Sequence, residues 1–103
     1  MFLNKSFTVN MTPNSGGMQA ASCSFYLPFT SDNVSKLVLT IEPFNNYVIV
    51  KVNGTQVYGG RRETVNVDIT SRLTTSITAL TIEQNGTMNS LVGSLHFSTI
   101  TAK

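Results

Sequence analysis

Alternation of hydrophobic and polar positions dominates the middle of this chain and predicts β-strands. Residues 36–41 and 47–52 are two strongly apolar runs, separated by a Pro-Phe-Asn-Asn segment that is typical of a turn. The second run leads into Asn53 and Gly54, the strongest short-range signal for a β-hairpin, because these residue types readily adopt positive φ. Residues 55–58 form the predicted return strand. The stretch therefore predicts an antiparallel sheet built around this hairpin.

The same alternation recurs on both sides of the hairpin. Further strands are predicted at residues 6–11, 18–29, 64–69, 77–83 and 94–101. Gly59 and Gly60 are predicted to end the return strand, and Asn85 and Gly86 predict a second hairpin turn. With about eight strands and no long helix, the pattern predicts an all-β fold, an antiparallel β-sandwich in which residues 1–103 form one domain.

The apolar face of each run predicts the core. The side chains expected to be buried there are Val50, Val67, Leu80 and Phe97. Cys23 alternates with Phe25 and Leu27, so we interpret it as a small apolar packing residue rather than a nucleophile. Each inward side chain should pack between two sheets.

Composition narrows the possible functions. Only 12% of the residues are charged, against about 25% in average domains, and Ser, Thr and Asn supply the polarity. The net charge of +2 comes without the dense basic patch that nucleic-acid binding needs, which argues against nucleic acid as a partner. The sequence contains no run of about 18 apolar residues, so we predict no membrane span. The first residues do not form a secretory signal, so we expect synthesis in the cytoplasm.

The residues that usually carry catalysis are few and scattered. His96 is the lone histidine, and its neighbours Leu95 and Phe97 place it on an outward face or at an edge. The acids are isolated along the chain: Asp32, Glu42, Glu63, Asp68 and Glu83. We therefore predict no catalytic residues, no metal site and no cofactor.

Two turn clusters contain residue types that bind ligands or partners. The candidate contact residues are Asn45, Asn46, Tyr47, Tyr58, Arg61, Arg62 and Glu63. Aromatic rings, amides, carboxylates and guanidinium groups together can recognise sugars, and Arg is enriched at protein interfaces. Both clusters, with Phe44, should lie at the open end of the hairpin and form one patch. A polar turn beside a solvated arginine pair is the alternative interpretation.

Several motifs resemble those of a known family. A V-x-V-N-G pattern stands at Val50, Val52, Asn53 and Gly54, and a D-[VI]-T-x-x-L pattern at Asp68, Ile69, Thr70 and Leu73. Over about residues 36–100 the chain is similar to galactose-binding-like jelly-roll domains, especially the sugar-binding modules attached to glycoside hydrolases. A third pattern departs, because Thr78 or Ala79 stands where that family usually has Asn. The resemblance implies a jelly roll that binds sugars through edge loops or serves as a spacer.

The expected function is that of a non-catalytic structural and binding module. Low charge and high Ser, Thr and Asn content are common in secreted, surface and virion proteins, and phage tails, baseplates and fibres often use jelly-roll modules of this kind. We expect a small bacteriophage virion component that packs against other subunits, as a homo-oligomer or within the virion, and contacts host-surface glycans. The alternatives are a carbohydrate-binding module of a cellular protein and a small phage-encoded inhibitor of a host protein.

Overall fold

The fold is all-β, as the sequence predicts. The computed structural model describes residues 6–11, 21–84 and 91–103. Within these ranges the elements are β1 (Ser6–Met11), β2 (Ala21–Leu27), β3 (Val34–Ile41), β4 (Val48–Val52), β5 (Thr55–Gly60), β6 (Val65–Asp68), a 3-10 turn (Thr70–Arg72), β7 (Thr78–Gln84) and β8 (Leu91–Ala102). The start of the strand predicted at 18–29 and the hairpin turn predicted at Asn85 and Gly86 lie outside the described residues.

The strands form two antiparallel four-stranded sheets, consistent with a β-sandwich. Their orders are β1-β8-β3-β6 and β2-β7-β4-β5. The pairings are nested: β1 pairs with β8, β2 with β7, β3 with β6, and β4 with β5. Nested pairs that alternate between two sheets give the strand connectivity of a jelly roll. The β4–β5 hairpin is the innermost pair of this winding.

One apolar cluster contains residues of both sheets. Val50, Leu80 and Phe97 are at most 1% exposed, which confirms three of the four predicted core positions. Phe97 packs edge-to-face against Phe29, with ring centroids 5.3 Å apart. The prediction for Val67 is wrong in degree: this side chain is half-buried, because β6 is a short edge strand with a neighbour on one side only.

Cys23 packs as the sequence predicts, although less deeply than a core residue. It lies on the inward face of β2, half-buried against the apolar cluster. Burial raises the pKa of the Cys23 thiol. A raised pKa keeps the thiol protonated near neutral pH, which agrees with a packing role.

The predicted turn between β4 and β5 is confirmed. Asn53 has a φ of 51° and Gly54 a φ of 85°, so both central residues have the positive φ that a type I′ turn requires. The Asn53 side chain also fixes the turn, since its Nδ2 donates to the Arg72 carbonyl at 2.8 Å and its Oδ1 accepts from the Ala79 N–H at 2.9 Å. The turn is therefore attached to both the 3-10 turn and β7.

The 3-10 turn follows closely after β6, and Asp68 at the end of β6 bonds to the first residue of the turn. Asp68 Oδ1 accepts hydrogen bonds from the Thr70 hydroxyl at 2.6 Å and the Thr70 N–H at 3.0 Å. These two bonds lower the pKa of the Asp68 carboxyl. The Thr70 hydroxyl oxygen in turn accepts from the Leu37 N–H at 2.8 Å, which joins the turn to β3.

The two glycines expected to end the return strand do not end it. β5 continues through Gly59 and Gly60, which pair with Ile49 and Val48. A side chain on Gly59 would meet the Tyr47 hydroxyl, and one on Gly60 would meet the Tyr58 hydroxyl. Tyrosine rings that cover glycine in this way supply the packing that the glycines lack.

Candidate contact surface

The two candidate loops meet at the open end of the β4–β5 hairpin. Val48 at the start of β4 pairs with Gly60 at the end of β5, so the flanking loops emerge side by side. The Arg62 N–H donates to the Phe44 carbonyl at 2.9 Å and joins them directly. We call the surface formed by Asn45, Asn46, Tyr47, Tyr58, Arg61, Arg62, Glu63 and Val92 the open-end patch.

The first loop of the patch is held against β8. The Asn45 N–H donates to the Val92 carbonyl at 3.2 Å, and Asn45 Oδ1 accepts from the Val92 N–H at 2.7 Å. Just before it, the Glu42 N–H donates to the Ser94 carbonyl at 2.9 Å. The Asn45 side chain therefore positions the loop. These bonds also bring Val92, which is 47% exposed, into the patch, and no local signal in the sequence pointed to it.

Phe44 is not part of the surface, contrary to the prediction that its ring would contribute to the patch. The residue is 2% exposed and belongs to the core. Its ring lies against Gly93 of β8, at a place where a Cβ atom would stand only 2.6 Å from the ring carbon Cε1. Phe44 thus anchors the loop from below, and Gly93 was the signal in the sequence for this close approach.

Tyr58 and Glu63 interact with each other. The Tyr58 hydroxyl donates to Glu63 Oε2 at 2.8 Å. Burial first, and then the hydrogen bond and charge of Glu63, raise the pKa of Tyr58 to about 12. At neutral pH the phenol is therefore a fixed donor, and the pair stiffens the loop that carries the two arginines. Tyr47 is more accessible than Tyr58, with 49% of its surface exposed.

Arg61 and Arg62 are the cationic residues of the patch, and both are exposed. Neither guanidinium forms an ion pair within the part of the chain that the structure describes. The three ion pairs seen there lie elsewhere: Lys36 with Asp68 at 3.7 Å, Lys51 with Glu83 at 3.2 Å, and His96 with Glu42 at 4.0 Å. The patch holds two arginines and one carboxylate, that of Glu63, so its net charge is positive and neither arginine is held in an internal ion pair.

Arg62 adopts an unusual backbone conformation. Its φ is 58°, in the left-handed region that costs a residue with a side chain roughly 1–2 kcal/mol. This conformation directs the Arg62 N–H to the Phe44 carbonyl and so closes the junction between the two loops. The patch thus has a defined backbone shape as well as charge.

The chemistry of the patch suits recognition. Guanidinium groups donate hydrogen bonds to carboxylates, and a half-exposed tyrosine offers both an apolar ring and a hydroxyl. No three residues among the His, Cys, Asp and Glu of the described ranges stand close enough to hold a metal ion. In the same ranges no helix has the length and apolar character to cross a membrane.

The chain thus combines two antiparallel sheets, consistent with a β-sandwich, with a candidate contact surface whose two arginines form no ion pair in the described residues. No family model matches the chain, and no curated protein matches it either.

Proposed function

We propose that this protein is a non-catalytic structural and binding module of a bacteriophage virion, in a tail, baseplate or fibre. It packs against a neighbouring protein subunit through the open-end patch. The low charge and the Ser, Thr and Asn content support a virion setting. The nested strand pairing supports a relation to the galactose-binding-like jelly rolls, whose loops form contact surfaces.

The observation that carries this proposal is the arrangement of Arg61 and Arg62. Both are exposed, without an internal ion pair, and placed on loops fixed by backbone hydrogen bonds to Phe44 and by Tyr58 with Glu63. Arginine and tyrosine dominate the binding energy of many interfaces, and a pre-ordered loop loses little entropy when it binds. An exposed arginine pair on a rigid support therefore favours a protein contact.

The test replaces both arginines with alanine. The free energy of unfolding should change by less than about 0.5 kcal/mol, because both side chains are exposed and alanine meets the same backbone cost at position 62 as arginine. Assembly with neighbouring subunits, followed by light scattering and co-sedimentation with virion proteins, should weaken by at least about 2 kcal/mol, which is about 30-fold.

Arg72→Ala is the matched control. Arg72 is also exposed and forms no ion pair in the described residues, but it lies near the Asn53 turn, at the other end of the hairpin. The control should assemble like the parent. Parent-like assembly of the double variant would show that the open-end patch is an ordinary solvated rim.

A host-surface glycan is the second candidate partner, favoured by the exposed Tyr47 ring. Sugars stack their C–H groups on aromatic faces, and the amide of Asn46 lies next in the chain. Glycan-array binding that is lost in Tyr47→Ala, but kept in the double arginine variant, would favour this candidate over a subunit contact.

A further inference from the structure

The charges of the open-end patch indicate the chemistry of its partner. We propose that the patch binds an acidic segment of a protein other than a second copy of this chain, with the Arg62 guanidinium as the main anchor. This inference rests on the proposed contact role of the patch. It adds the chemical class of the partner and the residue that selects it.

All five side-chain carboxylates of the chain lie in the described residues, as do Arg61 and Arg62, and no ion pair joins the two sets. Three of them form ion pairs away from the arginines: Glu42 with His96, Asp68 with Lys36, and Glu83 with Lys51. Glu63 lies in the patch, where it accepts a hydrogen bond from the neutral Tyr58 hydroxyl and forms no ion pair with either arginine. Asp32 forms no ion pair with the bases of the described ranges. The chain therefore does not neutralise Arg61 and Arg62 internally, and an outside carboxylate can bind both without displacing an existing pair.

A second copy of the chain is a poor source of that carboxylate. Asp32 precedes β3, whose eight residues span about 26 Å, and the patch lies beyond the other end of this strand. Lys103 and Arg72 lie at the same end of the chain's fold as Asp32: the Lys103 N–H donates to the neighbouring Asn33 carbonyl at 3.1 Å, and the Ser31 N–H donates to the carbonyl of Thr74, two residues after Arg72. Docking this end on the patch would bring two further cations towards Arg61 and Arg62.

The conformation of Arg62 indicates that its side chain acts outside the chain. A glycine at this position would make the same N–H bond to the Phe44 carbonyl without the left-handed penalty. The guanidinium contacts no carboxylate in the described residues, so no internal ion pair offsets that penalty. An ion pair between the Arg62 guanidinium and an external anion would offset this penalty in the complex.

The apolar neighbours of the arginines favour a protein over a polysaccharide or a nucleic acid. Val92 is 47% and Tyr47 49% exposed, and both lie in the patch. An aliphatic side chain such as Val92 packs against apolar side chains and offers nothing to sugar hydroxyls. Two cations are also too few for the multiple phosphate contacts that nucleic-acid binding requires. The best match is a segment with both acidic and apolar residues.

The experiment uses three probes with the full chain. The first is a fluorescently labelled peptide of alternating glutamate and leucine, the second its glutamine and leucine counterpart, and the third an oligogalacturonate, which carries carboxylates on a sugar backbone. Binding of the peptides is measured by fluorescence anisotropy, and the oligogalacturonate is added as a competitor.

We expect the glutamate peptide to bind the parent with an affinity that falls as salt is raised. Arg62→Gly should weaken this binding about tenfold or more, as expected for loss of a charged anchor, while Arg62→Lys recovers part of it. Because glycine relieves the left-handed backbone, Arg62→Gly should unfold at equal or higher denaturant concentration than the parent. Loss of binding then cannot come from unfolding. Arg72→Ala should bind within about twofold of the parent.

Each other outcome overturns the inference in a distinguishable way. If the glutamine peptide binds the parent as well as the glutamate peptide does, and the arginine variants no longer bind it, the patch remains a contact surface but its partner is not acidic. If Arg72→Ala loses as much affinity as Arg62→Gly, the attraction is unspecific and the proposed function fails with it. Stronger binding by the oligogalacturonate assigns the site to an acidic glycan. Self-association lost in both Arg62→Gly and Asp32→Asn assigns it to a second copy. Absence of binding by every probe rejects the acidic partner.

Discussion

Replacing Gly93 by alanine would test how firmly the core holds the open-end patch in place. A Cβ atom at Gly93 would lie 2.5 Å from Cγ and 2.6 Å from Cε1 of Phe44, whereas carbon atoms in contact ordinarily stand about 3.5–4.0 Å apart. The ring must therefore move by about 1 Å. It has little freedom to do so, since Phe44 is 2% exposed and its carbonyl accepts the Arg62 N–H.

The size of the effect follows from these contacts. Overpacking a tight core lowers the free energy of unfolding by about 1–3 kcal/mol. Replacing glycine by alanine raises it by about 0.4–1 kcal/mol, because alanine has less conformational freedom in the unfolded chain. We therefore expect Gly93→Ala to lower the free energy of unfolding by about 1–2 kcal/mol, measured by urea denaturation. Since the displaced ring carries the loop joined to Arg62, the variant should also weaken partner binding.

Gly59→Ala is the matched control. Its new Cβ would meet the end of the Tyr47 side chain, at 2.6 Å from the hydroxyl oxygen, and an exposed side chain can move aside. Its cost should stay within about 0.5 kcal/mol. The double variant Gly93→Ala with Phe44→Leu should lose about 1 kcal/mol less free energy of unfolding than the two single variants lose together, because both changes act on the same contact. Equal costs for the two glycine variants, or strict additivity with Phe44→Leu, would refute the argument.

Two further predictions concern the core and the patch. Phe97→Ala should lower the free energy of unfolding by about 3–5 kcal/mol, since the ring is 1% exposed and packs on Phe29; a loss below about 1 kcal/mol would show that the inward face of β8 is misassigned. The difference between absorbance titrations of the parent and of Tyr58→Phe should give the Tyr58 phenol a pKa of about 12, against an ordinary value of 10. Because the folded state keeps this proton longer, the stability linked to it is present below pH 10 and is lost as pH rises from 10 towards 12. Glu63→Gln should lower that pKa only in part, since burial is its largest cause, and an unshifted phenol in the parent would contradict the Tyr58–Glu63 contact.

The sequence by itself determined the local elements of this protein. The period-two alternation of β3, β4 and β7 identified them as strands, because successive side chains of a strand point to opposite faces. Asn53 and Gly54 fixed the hairpin turn, since few residue types tolerate positive φ at two consecutive positions. Once the hairpin was known, covalent geometry placed both candidate loops at one end of it.

Contacts between residues distant in sequence were decided by the tertiary structure. Phe44 left the surface because Gly93 of β8 provides room for its ring, and β5 continued through Gly59 because the Tyr47 side chain covers that glycine. The half-burial of Val67 depended on the position of β6 at a sheet edge, which no local pattern encodes.

The character of the open-end patch was decided in the same way. The sequence showed that Arg61 and Arg62 are adjacent. Only the folded chain showed that no acid of the described residues forms an ion pair with them and that Val92 joins the patch. Hydrophobic periodicity reports the environment of a strand along its own length. The partner of a charged side chain depends on which strands lie side by side, and that is settled by the packing of the two sheets.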